Sequence, residues 1–141
     1  MQKKFDIFKV LKADRIVVVD SASKLEILDR LIDVLADTPE VHDPDALTVA
    51  IARREEMMST GIGRGLAIPH VRIDQVSDIV MAVGLVRDGV SDYDSLDGEP
   101  VKLVFMIAAR TDQHEEHLKL LSQISSALKK EAFLKILFSA M

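Results

Sequence analysis

Two long apolar runs constrain this chain most. Residues 79–86 (Ile-Val-Met-Ala-Val-Gly-Leu-Val) and 101–109 (Val-Lys-Leu-Val-Phe-Met-Ile-Ala-Ala) are nearly continuous in apolar character. A strand with one wet face alternates apolar and polar residues, so these runs belong to a sheet that is covered at least partly on both faces. Something amphipathic has to cover them. Leu25, Leu28, Leu31/Ile32 and Leu35 recur at helical spacing, as do Leu47, Ala50 and Ile51, and later Leu118, Leu121, Ile124/Ser125 and Leu128. Strands interleaved with such helices predict an α/β sandwich, a sheet layered by helices on both sides.

The punctuation agrees. Residues 15–19 (Arg-Ile-Val-Val-Val) read as a strand, and Ser23 followed by Glu26 has capping-box spacing ahead of a helix that should end near Asp37-Thr38-Pro39. Asp43-Pro44 opens the next helix with an N-cap acid and a proline at the first helical position. Asp112 with Glu115 predicts another capping box, residues 5–11 and 131–138 predict short terminal helices, and the polar residues 87–100 predict a surface connection. No repeat, linker or low-complexity run divides the chain, and 141 residues are enough for one domain with a core of its own.

Composition then removes whole classes of function. The chain has no cysteine, which excludes disulfides, thiolate zinc clusters and thiol nucleophiles and points to a cytoplasmic protein. A formal net charge of −5 is wrong for a nucleic-acid binder, which needs a basic face. No apolar run approaches the roughly 20 residues that span a bilayer, and the N-terminus lacks the apolar core of a signal peptide. Neither nucleic acid nor direct membrane insertion is expected.

Chemistry concentrates in residues 59–70, Ser-Thr-Gly-Ile-Gly-Arg-Gly-Leu-Ala-Ile-Pro-His. Glycines at alternate positions permit tight turns and close approach of another molecule, and Pro69 stiffens the exit that presents His70 at the end of a short apolar strand. Imidazole is a neutral nucleophile near pH 7. Continuing the apolar face of the second helix lands on Arg54 and then on Met57 and Met58. Two readings of Arg54 stand side by side: a packed stem with its head in water, or a guanidinium held where an anion arrives. His117 lies on the buried face of the late helix. A nucleophile, a planar cation and a second imidazole suit a transferred phosphoryl group, with the helix N-terminus near Asp112 adding partial positive charge.

The other histidines carry less. His42 suits a surface or capping role, and His114 a rim position. A zinc site made of His70, His114 and His117 lacks the four-residue spacing of helical zinc ligands, and no Lys-Ser/Thr follows the glycines as in a P-loop. No metal and no cofactor is expected.

Residues 54–70, from Arg54 through Ser59-Thr60-Gly61-Ile62-Gly63 to Ile68-Pro69-His70, resemble the signature of enzyme IIA domains of the bacterial phosphoenolpyruvate-dependent sugar phosphotransferase system, in the fructose/mannitol/nitrogen-regulatory class (EIIA type 2). The likeness extends to the serine–lysine start of the first long helix, to Asp97-Gly98-Glu99-Pro100-Val101 and to His117-Leu118. It implies a mixed sheet between helices on both faces, the phosphotransferase/anion-transport-protein-like fold. It also implies that His70 accepts a phosphoryl group from the phosphohistidine of the phosphocarrier protein HPr or its nitrogen-branch analogue, with Arg54 and His117 lining the site. In a transport member the group passes to a cysteine of a IIB domain; in a regulatory member its presence changes affinity for target proteins. One position departs from the pattern. Val71 stands where a small residue is usual, and a β-branched side chain beside the ring would narrow access to it.

Overall fold

The computed structural model describes residues 10–128. The helix expected over residues 131–138 lies outside them, as do residues 5–9 of the one expected over 5–11. A 3-10 turn at Ala13–Arg15 leads into strand β1 (Ile16–Val19) and helices α1 (Lys24–Ala36) and α2 (Pro44–Met57). Three short strands follow, β2 (Gly61–Gly63), β3 (Leu66–Ala67) and β4 (His70–Arg72), then the long strands β5 (Val80–Val90) and β6 (Val101–Ala109) and helix α3 (His114–Leu128).

Local chemistry sets the first two helices. The Ser23 hydroxyl accepts from the Glu26 amide while the Glu26 carboxylate accepts from the Ser23 amide, the reciprocal capping box that the spacing predicts. The Asp43 carboxylate caps α2 at the Ala46 amide, with Pro44 at its first position. At the start of α3 the expectation fails. Asp112 lies before the helix and is drawn off by the Arg110 guanidinium 2.7 Å away, so it caps nothing.

The sheet is mixed. Its order is β1-β5-β6-β3-β2, with β4 also paired to β6; β1/β5, β3/β6 and β4/β6 run parallel, and β5/β6 and β2/β3 antiparallel. Alternate residues of β5 and β6 serve two cores. Val80, Ala82, Val86, Val104, Met106 and Ala108 meet Ile27, Leu31 and Leu35 of α1 and Leu47 and Ile51 of α2. Met81, Val83, Leu85, Leu103, Phe105 and Ile107 meet Leu120 and Ile124 of α3 on the other face. A side chain such as Leu31 or Phe105, fully removed from water, contributes about 1.5–3 kcal/mol of transfer free energy. Helices therefore cover both faces, as the continuous apolarity of the two runs requires.

Three expectations shift. Strand β5 extends to Val90, four residues into the segment expected as surface connection, and that segment also buries Tyr93. Met57 and Met58, expected on the inward face of α2, are exposed because the helix ends there and turns toward β2. The buried stripe of α3 is His117, Leu120 and Ile124, with Leu121 beside it, whereas Leu118 is 53% exposed. One residue is a 100° rotation, so a stripe centred on His117 turns Leu118 out to solvent.

Strands β3 and β4 lie along β6 in one continuous register, Leu66↔Leu103 and Ala67↔Val104, then His70↔Ile107 and Val71↔Ala108. Ile68 and Pro69 interrupt the pairing because proline has no amide to donate, although the Pro69 carbonyl still accepts from the Ile107 amide. The β2–β3 hairpin turns on Arg64 and Gly65, both at positive φ (56° and 76°), as a type I′ turn demands. Gly61 packs against the segment after β5. A Cβ there would stand 2.2 Å from the Asp94 carbonyl oxygen. Gly61→Ala is expected to lower the unfolding free energy by about 1–3 kcal/mol through overpacking, seen as a lower urea midpoint at unchanged m-value; an unaltered midpoint would show that this contact can relax.

Candidate functional site

His70 is the first residue of β4, rather than the last of a strand as the sequence suggests, and it is half-buried. Strand parity puts it on the same face as Leu66 and Ile68, toward α3. Val71, one residue on, turns the other way into the core beneath α1 and α2. Its β-branched side chain is thus on the opposite face of the sheet from the ring, although Val71 also lines the groove that His70 and His117 line.

The ring of His70 is held by its own strand. Nδ1 lies 2.7 Å from the Ile68 carbonyl oxygen. A carbonyl can only accept, so Nδ1 carries the proton and donates it, and in the neutral ring the lone pair is on Nε2. This one contact selects the tautomer.

His117 faces it from α3. The two ring centroids are 5.2 Å apart and nearly perpendicular, at 78°. His117 is 5% exposed and its Nε2 is buried without a hydrogen-bond partner among the described residues. An unpaired buried polar atom in a folded protein calls for an explanation, and a ligand that completes it is one. Burial pushes the His117 pKa down to about 4, and the proximity of His70, Arg72 and His114 adds to the effect. The ring is neutral at pH 7 and can donate one proton from either nitrogen.

A groove of about 930 Å³ runs between α2 and the edge strand β4. Arg53, Arg54 and Arg72 line it with His70 and His117, and Asp45 is the acid at its wall. No carboxylate among the described residues forms an ion pair with any of these three arginines. Their positive charge is open to an incoming anion. Arg54 is half-buried, which agrees with both readings of its place on α2.

The structure thus gathers Arg54, His70 and His117 at one groove. Sequence reasoning missed two cations there, Arg53 and Arg72. The signal for Arg72 is the two-residue step from His70 along a strand, which puts both on one face. The Arg72 guanidinium donates to His114 Nδ1 at 2.5 Å, so His114 stands at the rim, as expected, but as a partner of Arg72. His42 is exposed and is not among the residues that line this groove, although its amide donates to the carbonyl of Gln75, which is. Among the described residues, no group of three or more His, Cys, Asp or Glu side chains is placed to hold a metal ion, and no helix is long and apolar enough to cross a membrane.

An imidazole with its proton fixed on Nδ1, a neutral second imidazole and uncompensated guanidiniums are chemically suited to a small, highly charged anion. The chain belongs to the family described as phosphoenolpyruvate-dependent sugar phosphotransferase system, EIIA 2, whose model matches residues 9–141. It is similar to the fructose-specific EIIABC component of Bacillus subtilis (strain 168), with 42% identity over 122 residues; these are 86% of this chain but 19% of that protein's length. A nitrogen regulatory protein of Pseudomonas aeruginosa is 36% identical over 115 residues, 82% of this chain and 74% of the relative. Among solved structures, the nitrogen regulatory protein IIA-Ntr of Neisseria meningitidis superposes with a TM-score of 0.80 at 27% identity, covering 89% of this chain and 86% of that one. The IIA mannitol enzyme of Escherichia coli, solved in complex with phosphorylated IIB mannitol, gives a TM-score of 0.72 at 25% identity over 86% of this chain and 83% of that one.

The lowered pKa of His117 ties stability to pH. Between pH 6.5 and about 4 the unfolded chain binds a proton at this ring that the folded chain does not, so the folded state loses stability as pH falls through that window and keeps it in full above. Urea unfolding of the wild type should weaken more steeply from pH 6.5 to 4 than that of His117→Gln; identical pH slopes would show that the ring is not protected from protonation.

Proposed function

We propose that this chain, as one EIIA type-2 domain over residues 1–141, relays a phosphoryl group through His70 in the cytoplasm. The donor is the phosphohistidine of the phosphocarrier protein HPr or of its nitrogen-branch analogue, and the acceptor in sugar uptake is a IIB domain. The observation that carries this reading is the Nδ1 hydrogen bond to Ile68, which leaves the Nε2 lone pair of His70 free to attack phosphorus.

In the forward step the Nε2–P bond forms as the donor's N–P bond breaks, and the electron pair returns to the donor ring. The Nδ1 proton stays on His70, donated to Ile68 throughout, so no base is needed. The Arg54 guanidinium presents a fork of donors to the equatorial oxygens. The neutral His117 ring supplies an Nε2–H to the same oxygens, which satisfies its orphan atom. Placed donors of this kind act mainly on the transition state, where charge spreads over those oxygens. Passing the group to a IIB cysteine reverses the geometry: the Nε2–P bond breaks and His70 regains its lone pair.

A second reading shares the chemistry and differs in purpose. The likeness to nitrogen regulatory proteins of Pseudomonas aeruginosa and Neisseria meningitidis supports a regulatory IIA protein, whose phosphorylation state governs its partners. A phosphoryl group adds roughly −1.5 to −2 charge at pH 7, placed here among three arginines, and so reverses the local field that a partner meets.

Incubation with phosphoenolpyruvate, enzyme I and the phosphocarrier protein should label the protein with an acid-labile phosphate, and His70→Ala should abolish the label. His117→Ala should fold normally and slow labelling by roughly 10²-fold, the usual cost of one lost oxyanion donor. Stable labelling of His70→Ala would overturn the site. Onward transfer to a IIB cysteine favours the transport role; a labelled protein that transfers to no IIB domain but changes affinity for a target protein favours the regulatory one.

A further inference from the structure

Beside the groove lies a buried polar cluster. The Glu55 side chain is 8% exposed, and Thr60 and Tyr93 are buried with it. Glu55 Oε1 accepts from the Thr60 hydroxyl at 2.7 Å and from the Tyr93 hydroxyl at 2.6 Å, and the two hydroxyl oxygens are themselves 2.6 Å apart. Lys24 closes the cluster from α1, with Nζ 3.8 Å from Glu55 and 4.5 Å from the centre of the Tyr93 ring. Burial and the adjoining Glu55 carboxylate push the Tyr93 pKa up, so its hydroxyl stays protonated and remains a donor.

The cluster is connected to His70 by hydrogen bonds that meet at Thr60 and at Ile68. The Thr60 hydroxyl is anchored on Glu55; the Thr60 carbonyl accepts from the Ile68 amide at 3.0 Å; and the Ile68 carbonyl accepts from His70 Nδ1 at 2.7 Å. Pro69 follows, so Ile68 lies in the interrupted stretch where β6 does not pair with the strand. Ile68 is therefore held through its amide by Thr60, while β6 holds the chain on either side of it, at Ala67 and through the Pro69 carbonyl. Glu55 is also the residue after Arg54 on α2. One carboxylate thus ties the helix that bears Arg54 to the segment that leads into β2, whose Thr60 carbonyl in turn holds Ile68.

We propose that Glu55, Thr60 and Tyr93 are positioning residues for His70: the Glu55–Thr60–Tyr93 triangle fixes Thr60, Thr60 holds Ile68 by its amide, and the Ile68 carbonyl sets the tautomer and direction of the ring. The catalytic consequence rests on His70 being the phosphoryl acceptor. The effect on the ring does not.

The test uses the full chain and two readouts. In the wild type above pH 7.5, ring nitrogen-15 shifts should show His70 with the proton on Nδ1. Thr60→Val keeps the shape and removes the hydroxyl; it should bring His70 into a mixture of both tautomers and slow phosphoryl transfer from the phosphocarrier roughly tenfold, because the nucleophile is misdirected. KM for the carrier should be unchanged. Thr60→Ser, which keeps the hydroxyl, should restore both the tautomer and the rate to within about twofold. Tyr93→Phe removes another corner of the triangle and serves if Thr60→Val fails to fold. A wild-type tautomer and rate in folded Thr60→Val or Tyr93→Phe would overturn the proposal, as would a lost rate with an unaltered tautomer. If even the wild type takes no phosphate while the tautomer still shifts in the variants, the positioning role stands and the assignment of His70 as acceptor falls.

Discussion

A backbone carbonyl accepts hydrogen bonds and never donates them, and the carbonyl of Ile68 accepts from the ring of His70. The chemistry proposed for this chain depends on that contact. An unrestrained imidazole divides its proton between two nitrogens and rotates its lone pair; here the proton is on Nδ1 and the lone pair is directed outward. The carbonyl is available because Pro69 follows Ile68 and because β3 and β4, although in one register along β6, are interrupted between them. Strand parity then sends His70 to the α3 face and Val71 to the other. The fold serves the site by putting a two-residue interruption in an otherwise regular sheet.

Electrostatics at the groove follow from where charges are left unpaired. Arg15, Lys24, Arg87 and Arg110 each have a carboxylate partner, whereas Arg53, Arg54 and Arg72 line the groove without one among the described residues. The proximity of Arg72 and the burial of His117 act in the same direction, keeping the second imidazole neutral. A neutral donor suits this place. A neutral imidazole with an unpaired Nε2 offers a directed hydrogen bond without the cost of burying a charge.

Features with local causes are legible in the sequence. The Ser23/Glu26 capping box, the Asp43-Pro44 helix start and the two apolar runs need only their neighbours, and each is found where the residues indicate. Arg54, His70 and His117 are legible as candidates from residue type, face and family likeness, and the structure brings them to one groove. What is not legible depends on distant partners. Strands of two or three residues form only because a neighbouring strand holds them, β3 and β4 along β6 and β2 along β3. The face of α3 is set by the packing of Leu120 and Ile124 against β5 and β6, which turns the stripe by one residue from the one that periodicity suggests. Asp112 loses its capping role to Arg110, and Glu55, Thr60 and Tyr93 meet across 38 residues of chain with no spacing to announce them.

The most direct measurement is nitrogen-15 and phosphorus-31 NMR of the phosphorylated protein with labelled histidine. The phosphoryl group should be on Nε2 of His70, with Nδ1 still protonated and hydrogen-bonded to Ile68. A phosphoryl group on Nδ1 of His70 would contradict the account, because that nitrogen would have to abandon the carbonyl that orients the ring.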